Sequence, residues 1–243
     1  MIGEVLFGDY NLIVNDELLH SCTNYECYKG LYSSFNDKNL FEIAHSLNRQ
    51  FGPEQWCIYR GKHLMTFADN HDVTRIASIL NNPSHLPLVY GLLFSMPGIP
   101  CLYYGSEWGA EGMKSPDNDY ALRPCFEKPL PNTLTDFVAK LSQSGKNHDA
   151  LCNDSYRNVV IQNHQLIFER CSESERILVA VNAGGQRIHC IFRRIKRHSR
   201  RVTKRRNCEY ERTGFSSSLQ CTVFSNVVLF TSIFSTNVSV ILF

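Results

Sequence analysis

Ten cysteines are spread along the chain, yet no C-x-x-C pair occurs among them, so neither a zinc ribbon nor a thioredoxin-like redox motif is encoded. Reduced, mostly buried thiols are the expectation, in keeping with a cytoplasmic setting. The start Met1-Ile2-Gly3-Glu4-Val5-Leu6 has no charged n-region, apolar h-region or small-residue cleavage site, and no secretion is inferred from it. Walker A, G-x-G-x-x-G and G-x-S-x-G patterns are missing, as is any internal repeat. Their absence removes the P-loop, the dinucleotide fingerprint and the hydrolase elbow from consideration.

What is present is a globular composition: 243 residues, 43% hydrophobic, enough for one large core or two modest ones. The net charge of +2 hides a division. Residues 1–192 carry 15 Lys/Arg against 21 Asp/Glu, and residues 193–243 carry 10 against 2. Nine Lys/Arg fall between Arg193 and Arg206, and Ser225 to Phe243 has no charge at all. Such an asymmetry marks a nucleic-acid arm, an anchor with a basic flank, or sequence foreign to the fold. No aromatic interleaving supports nucleic-acid binding, and recurring Ser, Thr and Asn argue against a membrane span. A reading-frame change near residue 192 accounts best for the abrupt shift in composition.

Leu40, Ala44, Leu47 and Phe51 recur at helical spacing, with Asn36 or Asp37 able to cap upstream and Gly52-Pro53 stopping the pattern. Short apolar runs at Ile2–Leu6, Leu64–Ala68 and Cys101–Tyr104 read as strands; a stretch running to Leu80 and residues 85–95 read as helices. Alternation of this kind predicts parallel βα units. Gly109 to Pro131 reads as a long functional loop, followed by a helix bearing Leu134, Phe137, Val138 and Leu141. Beyond residue 145, Val159–Gln162, Gln165–Glu169, Ile177–Val181 and Arg187–Phe192 read as an antiparallel set, the last two joined through Ala183-Gly184-Gly185. The expected divisions are 1–145, 146–192 and an atypical tail, 193–243.

Three segments place polar groups at the C-terminal ends of predicted strands, where an α/β barrel builds its site. They are Gly3-Glu4-Val5, Phe67-Ala68-Asp69-Asn70-His71-Asp72, and Gly98-Ile99-Pro100-Cys101-Leu102-Tyr103-Tyr104-Gly105. Alone, a strand Glu is more often a paired carboxylate than a catalyst, and an Asn-His-Asp cluster serves equally well as a helix cap. In this order the three resemble the α-amylase family of glycoside hydrolases. The stretch from Gly3 through Leu31 is similar to intracellular bacterial members acting on maltodextrins. The resemblance covers roughly residues 2–185.

It implies the C-terminal half of a (β/α)₈ barrel, strands five to eight, followed by an incomplete antiparallel β-sandwich. It implies cleavage of α-1,4-glucosidic bonds with retention, Glu4 as general acid/base and Asp72 as the second carboxylate, gripping ring hydroxyls. Asn70, His71, Tyr104 and Arg123 become substrate-binding residues, with Arg75 holding the loop and Glu107 bracing the site. Arg123, after Asp119, matches a substrate-side loop position loosely, and a surface salt bridge is an equal reading. Phe7 stands where the family commonly has His.

A retaining glycosidase also needs a carboxylate nucleophile about 5–5.5 Å from the acid/base. By the resemblance that strand would precede Met1, so the chain alone is expected to turn over little or nothing. No organic cofactor is expected; calcium is allowed by the family, on loops that would also precede Met1. His63 and His71 lack the usual ligand spacing for a metal site. The rival expectation is a non-catalytic glucan-binding or assembly protein, completed by a chain that supplies the remaining strands.

Overall fold

The computed structural model describes residues 1–152 and 155–184 with their side chains, and the backbone alone of 188–193, 218–223, 228–229 and 238–242. The basic run from Arg193 to Arg206 therefore lies outside the described residues except for one backbone position, and most of the uncharged tail does too.

The N-terminal part alternates strand and helix: β1 (Ile2–Gly3), β2 (Ser21–Cys22), α1 (Tyr25–Asn36), α2 (Phe41–Phe51), β3 (Met65–Phe67), the single turn α3 (Ile76–Ile79), α4 (Leu86–Ser95), β4 (Ile99–Cys101) and α5 (Thr133–Asn147). β1 pairs with β2 and β3 with β4, both in parallel. A parallel bridge from Thr23 to Met65 links the two pairs. The result is an arc of four parallel strands in chain order, a barrel portion that does not close among the described residues.

The helix expected from Leu40 to Phe51 forms as α2, and Leu40, Ala44, Leu47 and Phe51 are all buried. Leu40, Leu47 and Phe51 each contribute about 1.5–3 kcal/mol on leaving water, and Ala44, with one methyl, less. Asn36 and Asp37 do not cap it, because they end α1 instead, Asn36 as its last residue and Asp37 as its C-cap. That helix was not apparent from local preference, since Gly30, Ser33 and Ser34 are weak helix formers. It forms because Leu31 and Phe35 pack into the shared core and the Asn24 side chain accepts from the Cys27 N–H.

β4 starts two residues earlier than expected, running through Ile99-Pro100-Cys101 and leaving Tyr103 and Tyr104 in the loop beyond. Proline is tolerated because β4 has a strand on one side only among the described residues. Gly98 makes the entry: its φ of +117° and the approach of the Leu64 carbonyl to 2.7 Å of where a Cβ would stand admit no side chain.

After α5, whose Asn132 and Thr135 form a capping box, come the turn α6 (Asp149–Cys152) and the strands β5 (Arg157–Gln162), β6 (Gln165–Cys171), β7 (Arg176–Asn182), β8 (Ile188–Arg193), β9 (Ser218–Val223), β10 (Val228–Leu229) and β11 (Val238–Leu242). β5, β6 and β7 are antiparallel neighbours. Among the described residues β7 and β8 do not pair as the expected hairpin. β11 takes the far edge of β7 in parallel, and β8 pairs with β9. The five-stranded sheet, in the order β10-β11-β7-β6-β5, is therefore mixed rather than purely antiparallel, and among the described residues a two-sheet sandwich is not observed.

One hydrophobic core runs through both parts, from Leu31 and Leu47 to Phe168 and Val179. Arg170, completely buried, crosses the junction and donates to the carbonyls of Ser95, Leu151 and Ser155 at 2.5, 3.2 and 2.7 Å. Of the seven cysteines whose side chains are described only Cys22 and Cys27 are buried, and Cys125 and Cys152 are exposed, so the expectation of mostly buried thiols holds for a minority. Among the described residues no helix is long and apolar enough to cross a membrane.

Candidate active site

The arc sets Glu4, His71 and Asp72 side by side, because β1 ends at Gly3 and β3 at Phe67. One ligating atom from each lies within 4.8 Å of the other two. A hydrogen-bonded chain joins the two carboxylates. The Tyr25 hydroxyl donates to Glu4 Oε1 at 3.0 Å, Asn70 Nδ2 donates to the Tyr25 hydroxyl at 3.0 Å, and the Asp72 N–H donates to Asn70 Oδ1 at 2.8 Å. Asn70 is thus a spacer between catalytic candidates. Tyr25 belongs to the site although sequence reasoning gave it no role; its place just after β2, the strand between β1 and β3, was the available signal. Burial raises the Tyr25 hydroxyl above its ordinary range, opposed by the Asn70 bond and reinforced by Glu4, so it stays a donor at neutral pH.

Asp72 is held from two directions. Arg123 Nη2 donates to Oδ1 at 2.9 Å, and His71 Nε2 lies 3.3 Å from Oδ2. Arg123 also reaches the His71 carbonyl at 3.2 Å and Asp119 at 3.4 Å, and Lys114 donates to the Asp72 carbonyl at 2.7 Å. The grouping of Glu4, His71 and Asp72 has a spacing that a cation would tolerate, but Arg123 already supplies the positive charge beside Asp72. His63 is not part of it.

Beneath this surface the support is buried and polar. Arg75, with no exposed surface, donates to the Tyr104 carbonyl and the Leu122 carbonyl at 2.8 Å each and to the Ser106 hydroxyl at 3.2 Å. Its guanidinium lies 4.1 Å from the centroid of the Tyr103 ring, a cation–π contact. The grip on Leu122 fixes the neighbouring Arg123. Gly112 lets the loop close, because a Cβ there would stand 2.2 Å from the Ala121 carbonyl oxygen and 3.2 Å from Arg75 Cγ. Tyr104 donates its hydroxyl to the Pro124 carbonyl at 2.8 Å and keeps an exposed ring face. Glu107 does not reach Glu4 or Asp72 in any hydrogen bond; it stands near Asp69, and its Oε2 is buried without a partner among the described residues.

Asp69 accepts from the Ile76 N–H at 2.9 Å and the Ser106 hydroxyl at 2.7 Å. Burial nonetheless raises its carboxyl above the ordinary value, outweighing those bonds and the Arg75 charge, and Glu107 adds to the rise. A carboxyl whose pKa is higher folded than unfolded binds more protons in the folded state, so its contribution to stability grows as pH falls from neutral through the raised value. The wild-type chain is therefore expected to gain stability relative to Asp69→Asn as pH is lowered from 7, levelling off below the unfolded carboxylate value. Urea denaturation at a series of pH values measures this, and a pH-independent difference would refute it.

Residues 23–177 match the family described as "Alpha amylase, catalytic domain". The chain belongs to the alpha-amylase family. Asn70, His71, Asp72, Tyr104 and Arg123 fall inside the matched range, and Glu4 precedes it. The cyclomaltodextrin glucanotransferase of Niallia circulans is 31% identical over 118 residues, 49% of this chain and 16% of that protein. Alpha-amylase 3 of Dictyoglomus thermophilum is 25% identical over 224 residues, covering 75% of this chain and 42% of its own length. The chain thus spans well under half the length of these alpha-amylase family relatives. Among solved structures, an Anoxybacillus alpha-amylase superposes with a TM-score of 0.65 at 25% identity over 79% of this chain and 43% of its own. A cyclomaltodextrinase superposes at 0.67 with 20% identity over 82% of this chain and 34% of its own, which speaks for the alpha-amylase fold alone.

Proposed function

We propose that this chain carries the acid/base half of a retaining α-1,4-glucan hydrolase site. The observation that carries the reading is the convergence of Glu4, His71 and Asp72 within 4.8 Å just beyond the ends of two parallel strands, β1 and β3, that flank β2. Glu4, exposed and held by Tyr25, protonates the glycosidic oxygen as the bond breaks and then takes a proton from the attacking water. Asp72 and His71 grip hydroxyls of the sugar being cleaved, contacts that accelerate the reaction to the extent that they tighten toward the oxocarbenium-like transition state. Tyr104 offers a ring face, and Arg123 keeps Asp72 oriented.

Asp72 is a poor nucleophile, since one oxygen is bound by Arg123 and the other faces His71. Among the described residues no further carboxylate joins the group around Glu4. This chain alone is therefore expected to bind maltooligosaccharide and to hydrolyse it little, because catalytic groups that act as a unit fail together. β1 and β4 each have a strand on one side only among the described residues. That open arc favours a second reading, in which the chain binds glucan and pairs with another chain supplying further strands.

Calorimetric titration with maltoheptaose, combined with a reducing-sugar assay, tests the proposal. Saturable binding that Asp72→Ala weakens about tenfold or more, with sugar release near background, is expected. Absence of binding would sink the glucan assignment, and turnover that Glu4→Gln abolishes would overturn the expectation of low activity.

A further inference from the structure

Tyr25 opens α1, and its ring is held without help from its hydroxyl. It meets Phe67 edge-on at 4.9 Å and Tyr28 edge-on at 6.0 Å. The preceding Asn24 is buried, donating its backbone N–H to the Met65 carbonyl at 2.8 Å and its side-chain amide to Gln50 at 2.7 Å. Edge-on aromatic contacts and a pinned helix start fix the ring, so the hydroxyl reaches Glu4 and Asn70 as a placed group.

The direction of the bonds is what gives Tyr25 a role. The Asp72 N–H donates to Asn70 Oδ1, Asn70 Nδ2 donates to the Tyr25 oxygen, and the Tyr25 hydroxyl donates to Glu4 Oε1. Every donor in the chain therefore points toward Glu4. Such a chain is strongest when the carboxylate at its end is ionised, because the last bond is then charge-assisted and each bond polarises the next. Protonation of Glu4 removes the charge and weakens each link back to Asp72. Burial keeps the Tyr25 proton on its oxygen, so the chain changes in strength and not in the direction of its donors. The groups facing Glu4 are Tyr25 from α1 and His71 and Asp72 from the segment after β3; around Asp72 stand Arg123, Asp119 and Lys114 from the loop beyond β4.

We propose that Tyr25 is a positioning residue that couples the ionisation of Glu4 to the hold on Asp72, through Asn70. The proposal rests on the acid/base role of Glu4 and deepens it. As Glu4 gives its proton to the leaving oxygen it becomes the anion at the end of the chain, and the links to Asn70 and Asp72 tighten as the sugar approaches its oxocarbenium-like state. When Glu4 takes a proton back from the attacking water, the same links relax.

Resonances of the Asn70 side-chain amide and the Asp72 backbone amide, followed from about pH 7 to about pH 4 across the ordinary carboxylate range, test this in the full chain and in its Glu4→Gln, Tyr25→Phe and Asn70→Ala variants. In the wild type both signals are expected to move with pH and to include a step that Glu4→Gln removes. Steps that come from His71 and Asp72 survive in Glu4→Gln and are separated in that way. Tyr25→Phe keeps the ring contacts and takes away only the hydroxyl, and the Glu4 step is expected to shrink severalfold in it. Asn70→Ala breaks the chain at its next link and is expected to shrink the step at Asp72 likewise. A Glu4 step of undiminished size in either variant, or no Glu4 step in the wild type, overturns the coupling. No sugar enters these titrations. A chain that shows the step but binds no maltoheptaose keeps the coupling and loses the glucan function, and one that binds maltoheptaose without the step does the reverse.

Discussion

Replacing Arg75 with methionine is expected to destabilise the fold by about 3–5 kcal/mol, the cost of removing one partner from a buried charged network. The guanidinium has no exposed surface and satisfies the carbonyls of Tyr104 and Leu122 and the hydroxyl of Ser106. Ser106 in turn donates to Asp69. Methionine fills much of the volume but leaves two carbonyls without their donor and Asp69 buried without a nearby cation. Against a total stability of about 5–15 kcal/mol for a domain, the loss is a large fraction. Arg75→Lys is expected to recover only part of it, because an ammonium is a point charge and cannot span the three acceptors as a planar fork does. Urea denaturation followed by tryptophan fluorescence measures the change. A loss below about 1 kcal/mol would show that water or a shifted loop replaces the guanidinium. Maltoheptaose affinity is expected to fall in Arg75→Lys as well, because release of Leu122 frees Arg123 from Asp72.

The second large effect is expected at the junction between the barrel portion and the sheet. Arg170→Met should cost about 2–4 kcal/mol, from three lost charge-assisted bonds to the carbonyls of Ser95, Leu151 and Ser155. Ser95 is the last residue of α4, so the guanidinium also stands where a helix dipole favours positive charge. Since the core is continuous across the junction, the variant should unfold in one transition at lower urea. Amide exchange in β5, β6 and β7 should accelerate beyond what the global change alone predicts. Unchanged protection in these strands, together with an unchanged midpoint, would show that Arg170 is replaceable at this boundary.

Both arginines mark the limit of what local sequence encodes. Arg75 lies one turn beyond Asp72 and so stands near the site, but nothing local indicates that it is wholly buried under Tyr103, or that its partners lie 29 and 47 residues away. Arg170 follows Leu166-Ile167-Phe168-Glu169 in a strand and carries no motif at all. Helix α2 was legible because four apolar residues at helical spacing need no partner to be recognised as one face. Helix α1 was not, since its Gly and Ser residues are accepted only because Leu31 and Phe35 have a core to enter. β4 was displaced because Pro100 looks like a breaker in isolation and is harmless on a strand with one neighbour. The hairpin expected after β7 failed for a similar reason: the turn signal at Ala183-Gly184-Gly185 is local, while the choice of β11 as the parallel neighbour is a long-range pairing.

The sequence by itself determined the alternation of strand and helix, the polar segments that follow β1, β3 and β4, and the residues Glu4, Asn70, His71 and Asp72 within them, because hydrophobic period and motif order are local properties of the chain. Only the tertiary structure decided that Glu4 and Asp72 are joined through Tyr25 and Asn70, and that Arg123 occupies the oxygen of Asp72. Those facts depend on the parallel order of the strands and on burial, which set distances between residues far apart in the chain and which no local pattern encodes.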